Sequence, residues 1–170
     1  MIDETLLKNE ERAIFALRNL YKKYGYLPFK MNKFEEYDLY VRNKDFLVSE
    51  RVITFNDTNG RLLALKPDVT LSIIKNGSDK EGIKQKVYYN ENVYRISGST
   101  RQFKEIMQTG LENIGDLDIY DIYETVYLAA KSLECVSSDF ILDISHLGII
   151  SALLDNATEI KEAKYEIISF

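Results

Sequence analysis

Two stretches decide the fold: Lys84-Gln-Lys-Val-Tyr-Tyr-Asn-Glu-Asn-Val-Tyr-Arg-Ile96 and Gln102-Phe-Lys-Glu-Ile-Met-Gln-Thr-Gly-Leu-Glu-Asn-Ile114, joined through Ser97-Gly-Ser-Thr100. Neither contains proline, and both read as long strands. The Ser/Gly link lets the chain return on itself, so the pair is expected to be antiparallel. Successive side chains of a strand point to opposite faces. In the second stretch Lys104, Ile106, Gln108, Gly110 and Glu112 share one face, and Phe103, Glu105, Met107, Thr109 and Leu111 share the other. In the first, Tyr89, Glu91, Val93 and Arg95 lie together. Gly110 removes a side chain between Gln108 and Glu112 and leaves room above the sheet. A carboxylate and a carboxamide around such a gap suit an amine or an imidazole N–H. Arg95 offers a fixed positive charge to a carboxylate or phosphate. The same spacing also fits a solvent-exposed sheet face with a glycine at a bulge.

The elements on either side give the class. Upstream, Ile14, Leu17, Tyr21 and Tyr24 recur at three- and four-residue spacing, which predicts an amphipathic helix over 5–24 with Gly25 as its C′ residue. Tyr26 to Met31 reads as a short strand. Asn59-Gly60 between 51–57 and 61–66 predicts a hairpin with two central residues at positive φ. Val69 to Asn76 reads as a short helix stopped at Gly77. Downstream, Asp118 to Val136 reads as a helix with Asp116, Asp118 and Asp121 crowding its start, where the macrodipole favours anions. Phe140 to Ser145 reads as a buried strand and Leu147 to Asn156 as a helix, with two short elements expected before Phe170. Cys135 reads as a core residue, and His146 as a structural residue at a strand-to-helix junction. Helix, mostly antiparallel sheet, then helix–strand–helix predicts an α+β fold.

Composition narrows the function. The chain has 170 residues, one Cys and one His, and formal charge −5. A disulfide framework and a His/Cys zinc site are not expected. The run Leu147 to Leu154 is far short of the ~20 residues that span a bilayer. An acidic N-terminus without an apolar h-region predicts a cytoplasmic protein. Residues 105–170 hold 3 basic and 13 acidic side chains, which argues against a nucleic-acid coat. Residues 75–104 hold 7 basic and 3 acidic, either a solvated loop or a surface for a small anion. No Walker or dinucleotide glycine pattern occurs, and no cofactor is implied.

Several motifs together resemble a known family. Leu65-Lys-Pro-Asp-Val-Thr70 resembles the Arg-Pro-Glu-x-Thr signature of histidyl-tRNA synthetases and their paralogues. Val93-Tyr-Arg95 followed by Gln108-Thr-Gly-Leu-Glu-Asn-Ile-Gly115 resembles motif 2 of class II synthetases. Gly25-Tyr26 through Phe34-Glu35 resembles motif 1, the dimer-forming helix and strand. Asp143-Ile-Ser-His-Leu-Gly148 with its apolar helix fits the next element. The chain departs from the synthetase pattern at Asn32 (for the motif 1 proline), at Lys66 and Asp68 (for Arg and Glu), and in the shortened link Ile96–Thr100. Motif 3 and an anticodon-binding domain are not found.

The chain is therefore identified as similar to the synthetase-like regulatory subunits of ATP phosphoribosyltransferase. The resemblance implies one class II synthetase-like core domain over 1–170: an antiparallel sheet flanked by helices, C-terminally incomplete. It implies a non-catalytic regulatory role in histidine biosynthesis. The partner would be the short-form catalytic subunit, with a homodimer and histidine as effector. A histidyl-tRNA synthetase fragment is the alternative. By resemblance, histidine would be held by Asp68, Thr70 and Gln108 at its α-amino group, with Glu112 framing the amine side and Arg95 facing the carboxylate or, in a synthetase, the α-phosphate.

Overall fold

The computed structural model describes residues 6–42, 52–76 and 83–156. The chain divides into two compact units, residues 1–138 and 139–170.

The first unit is built on the predicted antiparallel pair. Strands β5 (Lys84–Ile96) and β6 (Phe103–Gly115) run in register from Lys84 opposite Gly115 to Ile96 opposite Phe103. Strand β1 is only Leu27–Pro28, shorter than the expected 26–31, and it joins β5 in parallel, with Leu27 opposite Val87. Pro28 has no N–H for a ladder, so this strand is confined to the sheet edge. A second sheet has the order β2 (Phe34–Glu36), β4 (Leu62–Leu65), β3 (Thr54–Asn56), all antiparallel. The antiparallel expectation holds for every pair except β1.

Helices cover both faces of β5–β6. Helix α1 (Asn9–Lys23) starts later than predicted because Glu11 accepts from the Lys8 N–H at 2.8 Å and makes Lys8 the cap. It stops at Gly25, φ +82°, where Gly25 N–H and Tyr26 N–H return to the carbonyls of Lys22 and Tyr21. Helix α4 (Ile119–Glu134) is capped by Asp118, whose carboxylate accepts from the N–H groups of Tyr120 and Asp121. Leu17 and Tyr21 of α1 and Leu128 of α4 are buried with Tyr26 and Tyr88 on one face of the sheet. Tyr21 Oη and Ser132 Oγ join the two helices at 2.9 Å. On the other face Val87 and Val93 are packed by Met31, Val69 and Ile73, the last from helix α3 (Thr70–Asn76). Helix α2 (Asp38–Arg42) supplies Tyr40, buried with Ala64 and Leu71 against the second sheet.

Charge is matched inside the unit. Lys84 Nζ meets Asp121 at 2.5 Å and Asp118 at 2.9 Å, and Lys86 Nζ meets Glu124 at 2.6 Å. Lys75 Nζ meets the buried Glu35 at 3.1 Å. Three of the basic residues of 75–104 therefore face carboxylates of the chain itself, which accounts for much of the excess that read as a loop or an anion surface.

Three local expectations are corrected. In the β3–β4 hairpin Gly60 alone has positive φ, +79°. Asp57 caps the turn instead, accepting from the N–H of Asn59 and Arg61 and from Arg61 Nε. The Gly60 N–H to Asp57 carbonyl bond makes a turn closed by a single left-handed glycine. Cys135 is exposed, at the end of α4 beyond the Ser132 contact that ties this helix to α1. In the second unit, Phe140 to Ser145 is neither strand nor buried; Ile141 is 85% and Ile144 65% exposed. A strand exists through its ladder, and among the described residues no neighbour pairs with this run. Helix α5 (Leu147–Asn156) follows as expected, with His146 at its start giving its carbonyl to Ile149 N–H. Gly77 and the elements expected after Asn156 lie outside the described residues. Among the described residues no helix is long and apolar enough to cross a membrane.

One residue links the two sheets. Lys66 is 0% exposed; its Nζ donates to Glu91 Oε2 on β5 at 3.0 Å. Its N–H donates to Lys33 and its carbonyl accepts from Tyr94 N–H at 2.8 Å. Removing the cation leaves a largely buried carboxylate unpaired. Lys66→Met is expected to destabilise the chain by about 3–5 kcal/mol. Adding Glu91→Gln to the same chain should recover most of that loss, because no charge then remains to be solvated. Urea unfolding of the two variants checks this; equal loss in both would show that packing, not charge, is at stake.

Candidate functional site

The register answers the question left open by periodicity. Val87, Tyr89, Glu91, Val93 and Arg95 lie directly opposite Glu112, Gly110, Gln108, Ile106 and Lys104. Both polar sets predicted from the two strands are thus one face, and the ladder passes Gly110 without a bulge. Gln108, Gly110 and Glu112 are half-buried, so this stretch is not an open solvent face.

The turn Lys66-Pro67-Asp68-Val69 crosses that face and begins α3. Thr70 Oγ1 donates to Glu112 Oε1 at 2.7 Å. Asp68 Oδ1 accepts from Leu71 N–H at 3.1 Å and satisfies one of the free donors at the helix start. Arg95 Nε donates to the Pro67 carbonyl at 2.9 Å, which fixes the guanidinium beside the same turn. The structure therefore brings together Asp68, Thr70 and Glu112 and ties Arg95 to them through backbone. Gln108 shares the face, opposite Glu91, and its carboxamide makes no hydrogen bond among the described residues.

The electrostatics follow from crowding. Burial, then the nearby Asp68 carboxylate, raises the Glu112 carboxyl above its ordinary value, against the Thr70 hydrogen bond that lowers it. Tyr89 is pushed up to about 12, first by burial and then by Glu112 and Asp68. Two carboxylates and a neutral phenol make a cluster short of positive charge. Such a cluster suits a ligand that brings an ammonium, while Arg95 nearby suits a carboxylate.

Reading the sequence missed three parts of this arrangement. The room above Gly110 is not empty: a Cβ there would stand 2.6 Å from Tyr89 Oη and 2.8 Å from its ring carbon Cζ. The Tyr89 ring leans across the strand into the space that the glycine vacates. The other two are Lys66 and Glu91, whose ion pair lies under the turn; Glu91 also accepts from Met31 N–H at 3.4 Å. The cross-strand register was the signal that could have paired Tyr89 with Gly110. Nothing in the spacing of 66 and 91 announces their pairing.

Comparison with known proteins bears on the family and the fold. A family model described as histidyl-tRNA synthetase matches residues 3–169. The chain is 32% identical over 158 residues to the ATP phosphoribosyltransferase regulatory subunit of Clostridium kluyveri, covering 89% of this chain and 40% of that one. It is 29% identical over 152 residues to the histidine–tRNA ligase of Archaeoglobus fulgidus, covering 87% and 37%. It superposes with a TM-score of 0.70 and 25% identity on an ATP phosphoribosyltransferase regulatory subunit/histidyl-tRNA synthetase from Bacillus halodurans, covering 91% of this chain and 41% of that one. The chain thus spans about two fifths of the length of these relatives. The expected class II synthetase-like α+β fold is borne out.

The raised Glu112 value carries a pH signature. A carboxyl whose folded-state pKa lies above its unfolded value stabilises the fold fully below that unfolded value, 4.5 here, and loses the contribution as pH rises through the folded value. Glu112→Gln, which still accepts from Thr70, is therefore expected to be at least as stable as the parent at pH 7. Its relative advantage should shrink as pH falls towards 4.5. Thermal melts of both proteins between pH 4 and 7 check the trend; an advantage that grows on acidification would contradict it.

Proposed function

The chain belongs to the histidyl-tRNA synthetase family, and on that footing we propose that it is a non-catalytic regulatory and assembly subunit of ATP phosphoribosyltransferase with histidine as its effector. One synthetase-like core domain then carries both the effector site and the association surface. The observation that carries the reading is the cluster of Asp68, Thr70 and Glu112 on the face that also holds Gln108 and Arg95. The Asp68 carboxylate, the Thr70 hydroxyl and the Gln108 carboxamide suit an α-ammonium with three donors, with Glu112 beside them. The guanidinium of Arg95, pre-oriented by Pro67, suits the carboxylate. The regulatory-subunit relative at 32% identity supports the role.

A ligase reading is favoured by the histidine–tRNA ligase relative of similar identity. Activating an amino acid with ATP needs positive charges around the phosphates. The link between β5 and β6, residues 97–102, holds one cation, Arg101, and this weighs towards the regulatory role. The partners in this reading are a second copy of the chain, through α1 and residues 26–34, and the short-form catalytic subunit in the cytoplasm.

Two measurements test the reading. Histidine titration should show Asp68→Asn and Gln108→Ala weakened by roughly ten- to a hundred-fold, since losing a partner to a charged group costs ~1.5–3 kcal/mol. Asn keeps the cap on Leu71, so the loss reports charge and not helix fraying. Glu105→Ala is the control: it lies on the opposite face, accepting from Asn92 and Tyr94, and should bind as the parent does. Light scattering should detect a dimer or a shift on adding the catalytic subunit, and ATP–pyrophosphate exchange with histidine should be absent. Exchange above a heat-treated control would move the assignment to the ligase.

A further inference from the structure

The residue that occupies the centre of the polar face is one that the proposed site has not used. Tyr89 stands directly opposite Gly110, and its hydroxyl lies where a side chain at 110 would begin. Gln108 and Glu112 flank Gly110 two residues away on the same face, so the phenol tip sits between a carboxamide and a carboxylate. Among the described residues this hydroxyl makes no hydrogen bond, although the ring is largely packed away. A hydroxyl set between polar groups, with no protein partner among the described residues and not sealed from solvent, is free to donate to a ligand.

We propose that Tyr89 is a ligand-contacting, specificity-determining residue of this site, its hydroxyl donating to a ring nitrogen of the bound amino acid. The proposal rests on the reading of this face as an amino-acid site. Its chemistry is that of complementary donors and acceptors. Glu112 is an acceptor, with Oε1 given to Thr70 and Oε2 remaining. A neutral imidazole carries one N–H donor and one bare nitrogen acceptor. The carboxylate can take the N–H; a donor is then needed for the bare nitrogen, and the phenol supplies it. With its pKa pushed up to about 12 by burial and the adjacent carboxylates, the phenol keeps its proton throughout the physiological range. Gly110 is the positioning residue, because any Cβ would displace the ring tip.

The test is titration of the full chain with histidine and with 2-thienylalanine, a ring of similar size without a nitrogen acceptor. Tyr89→Phe should weaken histidine by about three- to ten-fold, the range of one neutral hydrogen bond. It should leave thienylalanine unchanged, so the discrimination between the two ligands collapses. A merely structural ring would lower both affinities together. Gly110→Ala should also lose discrimination in the Tyr89 parent but change it little in a Tyr89→Ala background, where no ring remains to be moved. If Tyr89→Phe keeps full discrimination while Asp68→Asn loses binding, the hydroxyl is not a contact and only this inference falls. If Asp68→Asn binds histidine as the parent does, or the parent does not bind it, the reading of the site fails and takes this inference with it.

Discussion

The ion pair between Lys66 and Glu91 is the constraint on which the arrangement turns. Lys66 follows β4 of the small sheet, and Glu91 stands at the middle of β5. A cation with no exposed surface holds its position only where a carboxylate meets it, so the small sheet is fixed at one height over the long ladder. The backbone bond from Tyr94 N–H to the Lys66 carbonyl repeats the link one step along. Everything that follows in sequence inherits this placement. Pro67 comes within reach of Arg95, Asp68 begins α3, and Thr70 arrives over Glu112. Here Lys stands where the family signature has Arg, so a single point charge does the joining.

Electrostatics divide the two faces of the long ladder. On the α1–α4 side, Lys84 and Lys86 are spent on Asp118, Asp121 and Glu124. Asp121 is held well below the usual carboxylate range by the Asp118 backbone N–H and by Lys84, and Lys84 in turn is raised. On that face both cations are met by carboxylates of the chain itself. On the other side Asp68 and Glu112 repel one another, and burial and mutual charge raise Glu112. Charge that is satisfied internally holds the fold together, whereas charge left crowded favours a ligand that relieves it.

Much of the fold and of the site could be read from residue order. Strand length and the turn at 97–102 gave the antiparallel pair, and apolar spacing gave α1 and α4. The Asp118 cap and the Gly25 stop were legible because each rests on a local rule: a short acceptor at a helix start, and a residue free to take positive φ at its end. The local rule failed at Phe140–Ser145. An apolar run is a strand only if something pairs with it, and hydropathy does not report a missing neighbour. It failed in a smaller way at Asn59-Gly60, where the Asp57 carboxylate bonds two backbone N–H groups and one glycine then suffices for the turn.

By itself the sequence determined the class of fold, the identity of the polar residues on each strand, and the family signature that names Asp68, Thr70, Arg95, Gln108 and Glu112. Alternation along a strand is a property of the backbone, so it needs no tertiary information. Only the tertiary structure decided that the polar faces of β5 and β6 are one face, because that depends on register across a turn of six residues. It alone decided that the gap at Gly110 holds the Tyr89 ring, and that Lys66 finds Glu91 across 25 residues of chain. Contacts between elements depend on where each element is held, and that is set by packing and buried charge acting over the whole unit.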